Sequence, residues 1–197
     1  MEAPFRVVKG KSWGLRAPFS LGQSAVVMLS FRPAKPDDVP LLCSLASRIW
    51  GISYAGIISR DQMEYMLGWM YSPKTLLAEM ASGVCWEFLL IDGTESGFLS
   101  LTFGPGGVAK LNKLYLSPEL HGRGIGQGML ARVDTIAREG GASEIRLQVN
   151  KANRRAQRSY ERAGYAIVDA AVFDIGGGHV MDDFIMMKVV SDPPLGD

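Results

Sequence analysis

The chain has 197 residues, of which 47% are hydrophobic and 21% are charged. This length and balance predict one soluble globular domain, since domains usually contain about 100–200 residues. The formal net charge of +1 gives no electrostatic reason to expect nucleic acid or an anionic membrane as a partner. No apolar run in the sequence reaches the roughly 18 residues that a membrane-spanning helix needs.

The two cysteines, Cys43 and Cys85, lie far apart in sequence and lack the spacing of metal ligands. We interpret both as small buried side chains in a reducing compartment. The composition therefore predicts a cytoplasmic protein without a bound metal.

Residues 1–29 differ in composition from the rest of the chain. Four basic residues there face one acidic residue, and glycine, proline and serine interrupt any periodic pattern. The segment lacks the long apolar stretch of a secretory signal, so we do not expect one. We expect a flexible basic extension or, because Met28 stands just before the first clear strand, a start assigned too far upstream. A targeting or nucleic-acid-binding arm is the alternative. The organised domain is predicted at residues 30–190, followed by a loose tail at 191–197.

The first half of the domain is predicted to contain one short strand and three helices. A strand at residues 30–33 leads to a helix over about residues 39–50, for which Asp37 is the expected N-cap. Ser59 opens the capping box of a second helix. The methionine face of that helix predicts core packing, although methionines also suit an adaptable binding wall. A short third helix is predicted after Ser72.

Strands and glycine turns dominate the second half. The predicted elements are strands at 84–91, 97–103 and 108–116, a helix ending at Gly140, a strand at 145–149, a helix ending at Gly164, and strands at 165–174 and 181–190. The pattern predicts an α/β protein of the α+β type with about seven strands and about four helices.

The strongest motif is the glycine-dense stretch from His121 to Gly126, which lies between a strand and a helix. Glycines allow a tight turn and close approach of the backbone to a ligand. The free N–H groups and the dipole of a helix N-terminus favour an anion there, so we expect a phosphate or pyrophosphate. Arg123 is expected to add a charged hydrogen bond. The dinucleotide pattern GxGxxG is excluded because no third glycine stands at the required spacing. A turn that merely joins strand to helix is the alternative.

A second pattern follows from Asn153 to Tyr165. Asn153, Ala156 and Tyr160 recur at intervals of three and four residues, so they share one helix face. From this spacing alone, Asn153 as a helix cap and Tyr160 as a core aromatic residue remain an alternative to a functional role.

Both stretches resemble signatures of the GNAT superfamily of N-acetyltransferases. The glycine stretch fits the acyl-CoA pattern Q/R-x-x-G-x-G/A, with His121 in place of the usual Gln or Arg, and the second fits Asn-x-x-Ala-x-x-x-Tyr-x-x-x-Gly-Tyr. With the flanking elements, the resemblance spans residues 31–190. It implies a GNAT fold, which is a central mixed, mostly antiparallel sheet of about seven strands flanked by about four helices.

The resemblance also implies a site for acetyl-CoA. Tyr160 matches the general acid that protonates the CoA thiolate, and Asn153 matches a position that contacts the pantetheine or an ordered water. Backbone groups of Leu114 and Leu116 are expected to bond the pantetheine amides, and an N–H near Leu114 to stabilise the oxyanion. The implied cofactor-binding residues are Leu114, Tyr115, Leu116, His121, Gly122, Arg123, Gly124, Ile125, Gly126, Gln127, Asn153, Ala156 and Tyr160.

The acceptor site and the general base are less well defined by the sequence. Trp50 and Tyr54 are candidates to enclose an amine through cation–π contacts, with ordinary core packing as the alternative. We expect the acceptor to be selected by residues 50–71 together with residues 176–179. The glutamates in plausible strands or turns are Glu87, Glu95 and Glu119, of which Glu119 is a poor choice because it lies next to the expected pyrophosphate. His179 is a weak candidate base, and a water wire without a dedicated base is an equal alternative.

The predicted activity is transfer of an acetyl group from acetyl-CoA to a primary amine, on a small molecule or polyamine, by direct attack in a ternary complex. Residues 54–71 resemble bacterial GNAT proteins that act on polyamines or small amines. A protein N-terminal acetyltransferase and a non-catalytic CoA-binding regulatory module are the alternatives. The sequence leaves open the identity of the acceptor and whether the protein is a homodimer.

Overall fold

The computed structural model describes residues 17–21 and 25–190. They contain one eight-stranded sheet in the order β1-β2-β3-β4-β5-β6-β8-β7. The strands are β1 (Ala17–Leu21), β2 (Ala25–Pro33), β3 (Cys85–Ile91), β4 (Thr94–Gly104), β5 (Val108–Leu116), β6 (Glu144–Asn150), β7 (Ala166–Gly176) and β8 (His179–Val189). Neighbouring strands are antiparallel except for the parallel pair β5 and β6, so the sheet is mixed and mostly antiparallel, as predicted.

Five α-helices occur in this part of the chain, and each corresponds to a helix located from the sequence, although the fold-class prediction was about four. They are α1 (Val39–Ser53), α2 (Arg60–Met70), α3 (Pro73–Ala81), α4 (Ile125–Glu139) and α5 (Arg154–Arg162). None of the helices within residues 17–21 and 25–190 is long and apolar enough to cross a membrane.

The helix caps follow the sequence closely, with one exception. The hydroxyls of Ser59 and Ser72 accept backbone N–H groups at the starts of α2 and α3, as predicted. The predicted cap of α1 is wrong by one residue, since Asp38 and not Asp37 precedes the helix. Instead of capping, the Asp38 carboxylate accepts the N–H of Lys35 at 2.8 Å and binds the Arg32 guanidinium. A 3-10 turn before α1 shifts the helix start, which the local sequence pattern does not reveal.

The helices cover both faces of the sheet. On one face α1–α3 bury Trp50 against a cluster that includes Phe88 of β3. On the other face α4 buries Val133 against a cluster that includes Leu147 of β6. Because side chains alternate between the faces of a strand, each central strand contributes to both cores.

A gap in the sheet separates the ends of β5 and β6. The two strands pair only where residues 108–111 face residues 144–147. Beyond that point Asn112 is the extra residue of a β-bulge in the pairing of β5 with β4. A bulge bends the strand that carries it. The distal part of β5 therefore stays paired with β4 while its other edge is left open.

The sheet contains one strand more than the sequence predicted. β1 lies within the predicted N-terminal extension, and β2 begins at Ala25 rather than at residue 30. Residues 1–16, 22–24 and 191–197 lie outside the described residues. Cys43 and Cys85 are both partly buried and form no disulfide.

Candidate active site

A cleft of about 1010 Å³ lies between α1 and α2, the open edge of β5, and the N-terminal ends of α4 and α5. Its two ends differ in character. We call the end lined by Gly122, Gly124, Gly126 and Asn153 the glycine arm, and the end lined by Trp50, Tyr54, Met66, Tyr115 and Asp183 the aromatic arm.

The glycine arm is shaped by the start of α4. Gly122 and Gly124 have positive φ angles of 76° and 78°, which L-residues with a Cβ rarely adopt. Gly124 is the N-cap, and the first bond of the helix runs from the N–H of Gln127 to the Gly124 carbonyl. N–H groups that precede this bond have no acceptor inside the helix. A Cβ built on Gly126 meets open space within the cleft, so this turn has the geometry that an anionic group requires.

Two residues of the predicted set do not line the cleft. The Arg123 side chain is exposed outside it, and Ile125 is buried with Leu89 and Met129 beneath the sheet edge. Positive charge reaches the cleft instead from α5, through Arg155 and Arg158, and from β5, through Lys110 and Lys113. The sequence interpretation did not select these arginines, although their place in the first turns after Asn153 was a usable signal.

His121 joins the two sides of the glycine arm. Its Nε2 lies 2.9 Å from the Leu116 carbonyl and its Nδ1 lies 2.7 Å from an Arg155 nitrogen. An arginine can only donate, so Nδ1 accepts and Nε2 carries the proton. Burial and then the Arg155 charge lower the pKa of His121, which favours this neutral form. His121 therefore links β5 to α5. The Gln or Arg that is usual at this position in the family pattern would contact these groups differently.

The open edge of β5 presents backbone groups to the cleft. The Ser117 N–H donates to the Ser96 carbonyl on the β4 side, whereas the Leu116 carbonyl faces His121 on the opposite side. Backbone direction alternates along a strand, so the N–H and carbonyl of Leu114 share the direction of those of Leu116. Leu114, Tyr115 and Leu116 all line the cleft. The carbonyl of Leu116 is already engaged by His121, and Leu114 is the predicted backbone partner that this contact leaves accessible.

The first turn of α5 forms another wall of the glycine arm. The Asn153 amide oxygen accepts the Ala156 N–H at 3.1 Å, so the capping interpretation is correct, and both residues also line the cleft. The Gln127 amide donates to the Ser159 carbonyl at 3.0 Å and links α4 to α5. Gln127 thus contributes to the wall while its side-chain amide is committed to a structural bond.

Tyr160 lies at the junction of the two arms. Its ring packs edge-on against Tyr165 at a centroid distance of 5.8 Å, and its side chain also lines the cleft. Tyr160 is therefore a packed aromatic residue that is also accessible from the cleft, as the predicted acid would have to be. Burial, followed by the influence of Tyr54, raises the pKa of Tyr160. The phenol is therefore protonated at neutral pH, and the raised pKa also makes it a weaker acid than a free phenol.

The aromatic arm is built around two hydrogen-bonded phenols. The hydroxyls of Tyr54 and Tyr115 lie 3.2 Å apart. Trp50 packs beneath them, with its ring centroid 4.5 Å from that of Tyr54 and 5.7 Å from that of Tyr115. Trp50 is only 1% exposed, so it is mainly a core residue that supports Tyr54. Tyr54 is the more accessible member of the predicted acceptor pair.

The outer wall of the aromatic arm joins α2 to the β7–β8 hairpin. The Gln62 amide donates to the Val180 carbonyl at 2.7 Å, and the Tyr65 hydroxyl donates to the Ile175 carbonyl at 2.8 Å. Met66 and Met70 of α2, the helix that makes these two bonds, line the cleft. Residues 50–71 therefore pack against the hairpin on both sides of its turn at residues 176–179.

The base candidates chosen from the sequence lie outside the cleft. Glu87 is 6% exposed and binds Arg132 of α4 through two hydrogen bonds of 2.6 and 2.8 Å, on the opposite face of the sheet. Glu95 pairs with Arg32. His179 packs against the Tyr65 ring at a centroid distance of 5.3 Å, and neither it nor Glu119 lines the cleft. These four residues therefore do not meet an acceptor in the cleft.

Asp183 is the acidic residue that the sequence interpretation missed. It lies in β8 opposite Asn150, lines the aromatic arm, and is 1% exposed. Neither of its carboxylate oxygens has a hydrogen-bond partner among the described residues. Burial, reinforced by Asp182 and opposed by Lys151, raises the pKa of Asp183 to about 6. The adjacent pair of aspartates was a usable signal, since alternation along a strand turns one of them inward.

Comparison with known sequences identifies relatives of this chain. A profile of the Acetyltransferase (GNAT) family matches residues 54–165. An uncharacterized N-acetyltransferase of Mycobacterium tuberculosis is 35% identical over 97 residues, which are 49% of this chain and 62% of that protein. This chain therefore spans less than two thirds of that relative's length. The spermidine N(1)-acetyltransferase of Thermoplasma acidophilum is 30% identical over 146 residues, which are 72% of this chain and 90% of that protein.

Solved structures share the fold. The PaiA N-acetyltransferase of Thermoplasma acidophilum, in complex with coenzyme A, superposes with a TM-score of 0.70 at 28% identity, covering 82% of this chain and 98% of that one. A GCN5-related N-acetyltransferase from Rhodopseudomonas palustris superposes with a TM-score of 0.68 at 21% identity, covering 81% and 94%. At that identity the second likeness concerns the fold alone.

Proposed function

This chain belongs to the GNAT family of acetyltransferases, and we propose that it transfers an acetyl group from acetyl-CoA to a primary amine of a small molecule, with polyamines as the favoured acceptors. The observation that carries the proposal is the meeting of a glycine-shaped anion site, an open β5 edge and Tyr160 in one cleft. The named activity of the Thermoplasma relative supports the polyamine class.

Acetyl-CoA fits the glycine arm through both charge and shape. The backbone N–H groups at the start of α4 suit the pyrophosphate, and Arg155 and Arg158 bring positive charge to the same arm. The pantetheine then follows the open edge of β5, where the Leu114 carbonyl accepts from a pantetheine amide as it would from an added strand, and the Leu114 N–H stays available for the acetyl oxygen. This arrangement directs the acetyl group toward Tyr160 and the aromatic arm.

The proposed reaction is a direct attack in a ternary complex. The lone pair of a neutral amine nitrogen forms a bond to the carbonyl carbon of the thioester, and the π electrons move to the oxygen. The backbone N–H of Leu114 stabilises that oxyanion. When the C–S bond breaks, its electrons stay on sulfur, and Tyr160 gives the sulfur a proton. The proton lost by the attacking nitrogen restores Tyr160, so acetylated amine and CoA leave with the phenol regenerated.

The aromatic arm suits an amine acceptor. Tyr54 and Tyr115 supply phenol oxygens and ring faces, and cations bind favourably to aromatic faces. Met66 and Met70 give the wall an adaptable apolar surface for the methylene groups of an alkylamine. Such a wall accommodates a flexible chain better than it specifies one shape.

The first test is release of the CoA thiol from acetyl-CoA with a panel of acceptors. The panel contains spermidine and other polyamines, free amino acids, and short peptides with free N-termini. We expect release with the polyamines and little with the peptides. Release with peptides alone would replace the proposal by N-terminal acetylation. Tight acetyl-CoA binding by calorimetry, without release on any amine, would replace it by a regulatory CoA-binding role.

A further inference from the structure

We propose that Asp183 receives the acceptor amine in the aromatic arm and takes the proton that the amine must lose before it attacks. The inference rests on the proposed function, because it assigns the proton acceptor for that reaction. Asp183 lies on the β7–β8 hairpin, which follows both the glycine turn and the α5 motif in the sequence.

The first argument is that Asp183 has no structural partner. Most buried carboxylates are ion-paired or hydrogen-bonded, because a desolvated charge is otherwise unfavourable. Glu87 shows the usual arrangement in this protein, with two hydrogen bonds to Arg132. Asp183 is as deeply buried, but neither oxygen finds a donor among the described residues. A ligand that donates hydrogen bonds is the partner that this arrangement lacks.

The second argument is the position of Asp183 relative to the reacting groups. It faces Asn150, the last residue of β6, at the point where β5 and β6 have separated. Asn150 in turn holds α5, because its carbonyl accepts the amide of Gln157 at 3.0 Å. Asp183, Tyr54 and Tyr160 all line the cleft, and the charge of Asp183 helps raise the pKa of Tyr54, as Tyr54 helps raise that of Tyr160.

The third argument concerns the charged and titratable groups around Asp183. Tyr54, the residue that follows α1, interacts electrostatically with it, and Lys151 lies nearby but pairs its ammonium with Asp182 at 2.5 Å. Asp174 of β7 lines the same cleft, and its carboxylate accepts the Gly176 N–H at 2.8 Å. Each of these carboxylates other than Asp183 therefore already has a partner. The remaining unmet charge favours a cation, and an alkylammonium supplies both the charge and the donors.

The chemical step is balanced. An alkylammonium donates one proton to the Asp183 carboxylate and becomes a neutral amine, with its lone pair free to attack the thioester. Asp183 then releases that proton to solvent, while the second nitrogen proton restores Tyr160. The overall reaction converts ammonium and thioester to amide, thiol and one free proton. A carboxyl group with a pKa of about 6 lies close to neutral pH, where a general base is effective.

The decisive experiment compares Asp183→Asn with Asp182→Asn. Asp182 is the matched control because it is adjacent, equally charged, half exposed and paired with Lys151. With spermidine as acceptor, we expect Asp183→Asn to lower kcat/KM by about 100-fold and Asp182→Asn to change it by less than about threefold. Calorimetry should give both variants the wild-type affinity for acetyl-CoA. Wild-type kcat/KM in Asp183→Asn would overturn the proposal.

A pH profile separates a proton-accepting role from a merely structural one. Wild-type kcat/KM should fall as pH drops through about 6, because protonated Asp183 cannot accept a proton. Asp183→Glu should keep an acidic limb with partial activity, and Asp183→Asn should lose the limb. An unchanged limb in Asp183→Asn would assign the titration to another group and overturn the proposal.

The proposed function and this inference fail in different ways. Wild-type turnover together with full activity of Asp183→Asn would retain the acetyltransferase and reject Asp183. If wild-type protein releases no thiol with any amine, the proposed function fails, and spermidine binding then tests Asp183 by calorimetry without acetyl-CoA. Binding at least about tenfold tighter to wild type than to Asp183→Asn would still support amine recognition, and equal binding would overturn it.

Discussion

The glycine arm and the aromatic arm belong to one cleft but are built on different principles. The glycine arm uses backbone: the turn at Gly122–Gly126, the first turn of α4 and the open edge of β5. The aromatic arm uses side chains carried by α1, α2, β5 and β8. Backbone geometry depends on short local stretches, whereas a side-chain wall depends on how distant elements meet. The comparison therefore predicts that variants of the glycine arm weaken the binding of acetyl-CoA, whereas variants of the aromatic arm weaken the binding of the amine.

The largest expected effect is in the glycine arm. Gly126→Val should weaken acetyl-CoA binding by more than about 100-fold, because its side chain projects into the open space beside the α4 N-terminus. Gly128→Ala is the control, since its Cβ lies 3.5 Å from Leu29 in ordinary contact and away from the cleft. Calorimetry with acetyl-CoA measures both, and circular dichroism checks the fold. Normal binding by folded Gly126→Val would remove the anion site from this turn.

The second effect is at the junction of the arms. Tyr160→Phe should lower kcat by more than about tenfold and leave acetyl-CoA affinity unchanged, because it removes the proton donor but keeps the ring. Tyr165→Phe is the matched control, since that hydroxyl is buried beside Tyr160 but outside the cleft. Steady-state kinetics and calorimetry give the two quantities. Equal kcat values for Tyr160→Phe and wild type would reject the acid role.

A smaller effect should be confined to the aromatic arm. Tyr54→Phe breaks the 3.2 Å contact with Tyr115 and should raise the KM for spermidine about three- to tenfold, in line with about 1 kcal/mol for one hydrogen bond. The KM for acetyl-CoA should not change. Tyr165→Phe, which removes a buried phenol hydroxyl outside the cleft, serves as the control. If Tyr54→Phe altered acetyl-CoA binding as strongly, the division between the arms would be wrong.

The smallest effect is on stability without substrates. The folded-state pKa of Asp183, about 6, lies above its unfolded value, so the buried carboxylate destabilises the fold most fully above pH 6. Asp183→Asn should therefore raise the thermal midpoint by about a few degrees at pH 8 and by less at pH 5. Asp182→Asn loses the Lys151 pair and should not raise it. Thermal scans at the two pH values measure this difference, and a pH-independent midpoint change would contradict it.

Much of the fold was accessible from the sequence because its signals are local. The caps at Ser59 and Ser72, the glycine turn before α4 and the glycine stop after α5 each depend on a few neighbouring residues. Strands were recognised by alternation, and their boundaries differ from the observed ones by a few residues. β1 was missed because residues 17–21 lie in a segment whose composition indicates an extension, and its pairing with β2 is a tertiary contact.

Some residues of the candidate site were predicted from the sequence, and others were not. Residues selected by short motifs, such as Gly124, Asn153 and Tyr160, do line the cleft. Arg123 belongs to the same motif, but its side chain points away, and Arg155 takes the position beside His121. A glycine turn specifies the backbone path, and it does not determine which neighbouring side chain reaches the interior.

The sequence by itself determined the family, the order of most elements and the backbone-built half of the cleft, because each follows from residues close together in the chain. The tertiary structure alone decided that Asp183, and not Glu87, lines the cleft. Glu87 and Asp183 both lie in strands of alternating pattern, and sequence favours neither. The packing of α4 gives Glu87 a partner in Arg132, whereas β8 places Asp183 in the cleft, where neither of its oxygens has a partner among the described residues. That distinction depends on which helix covers which face of the sheet, and contacts between distant segments decide it.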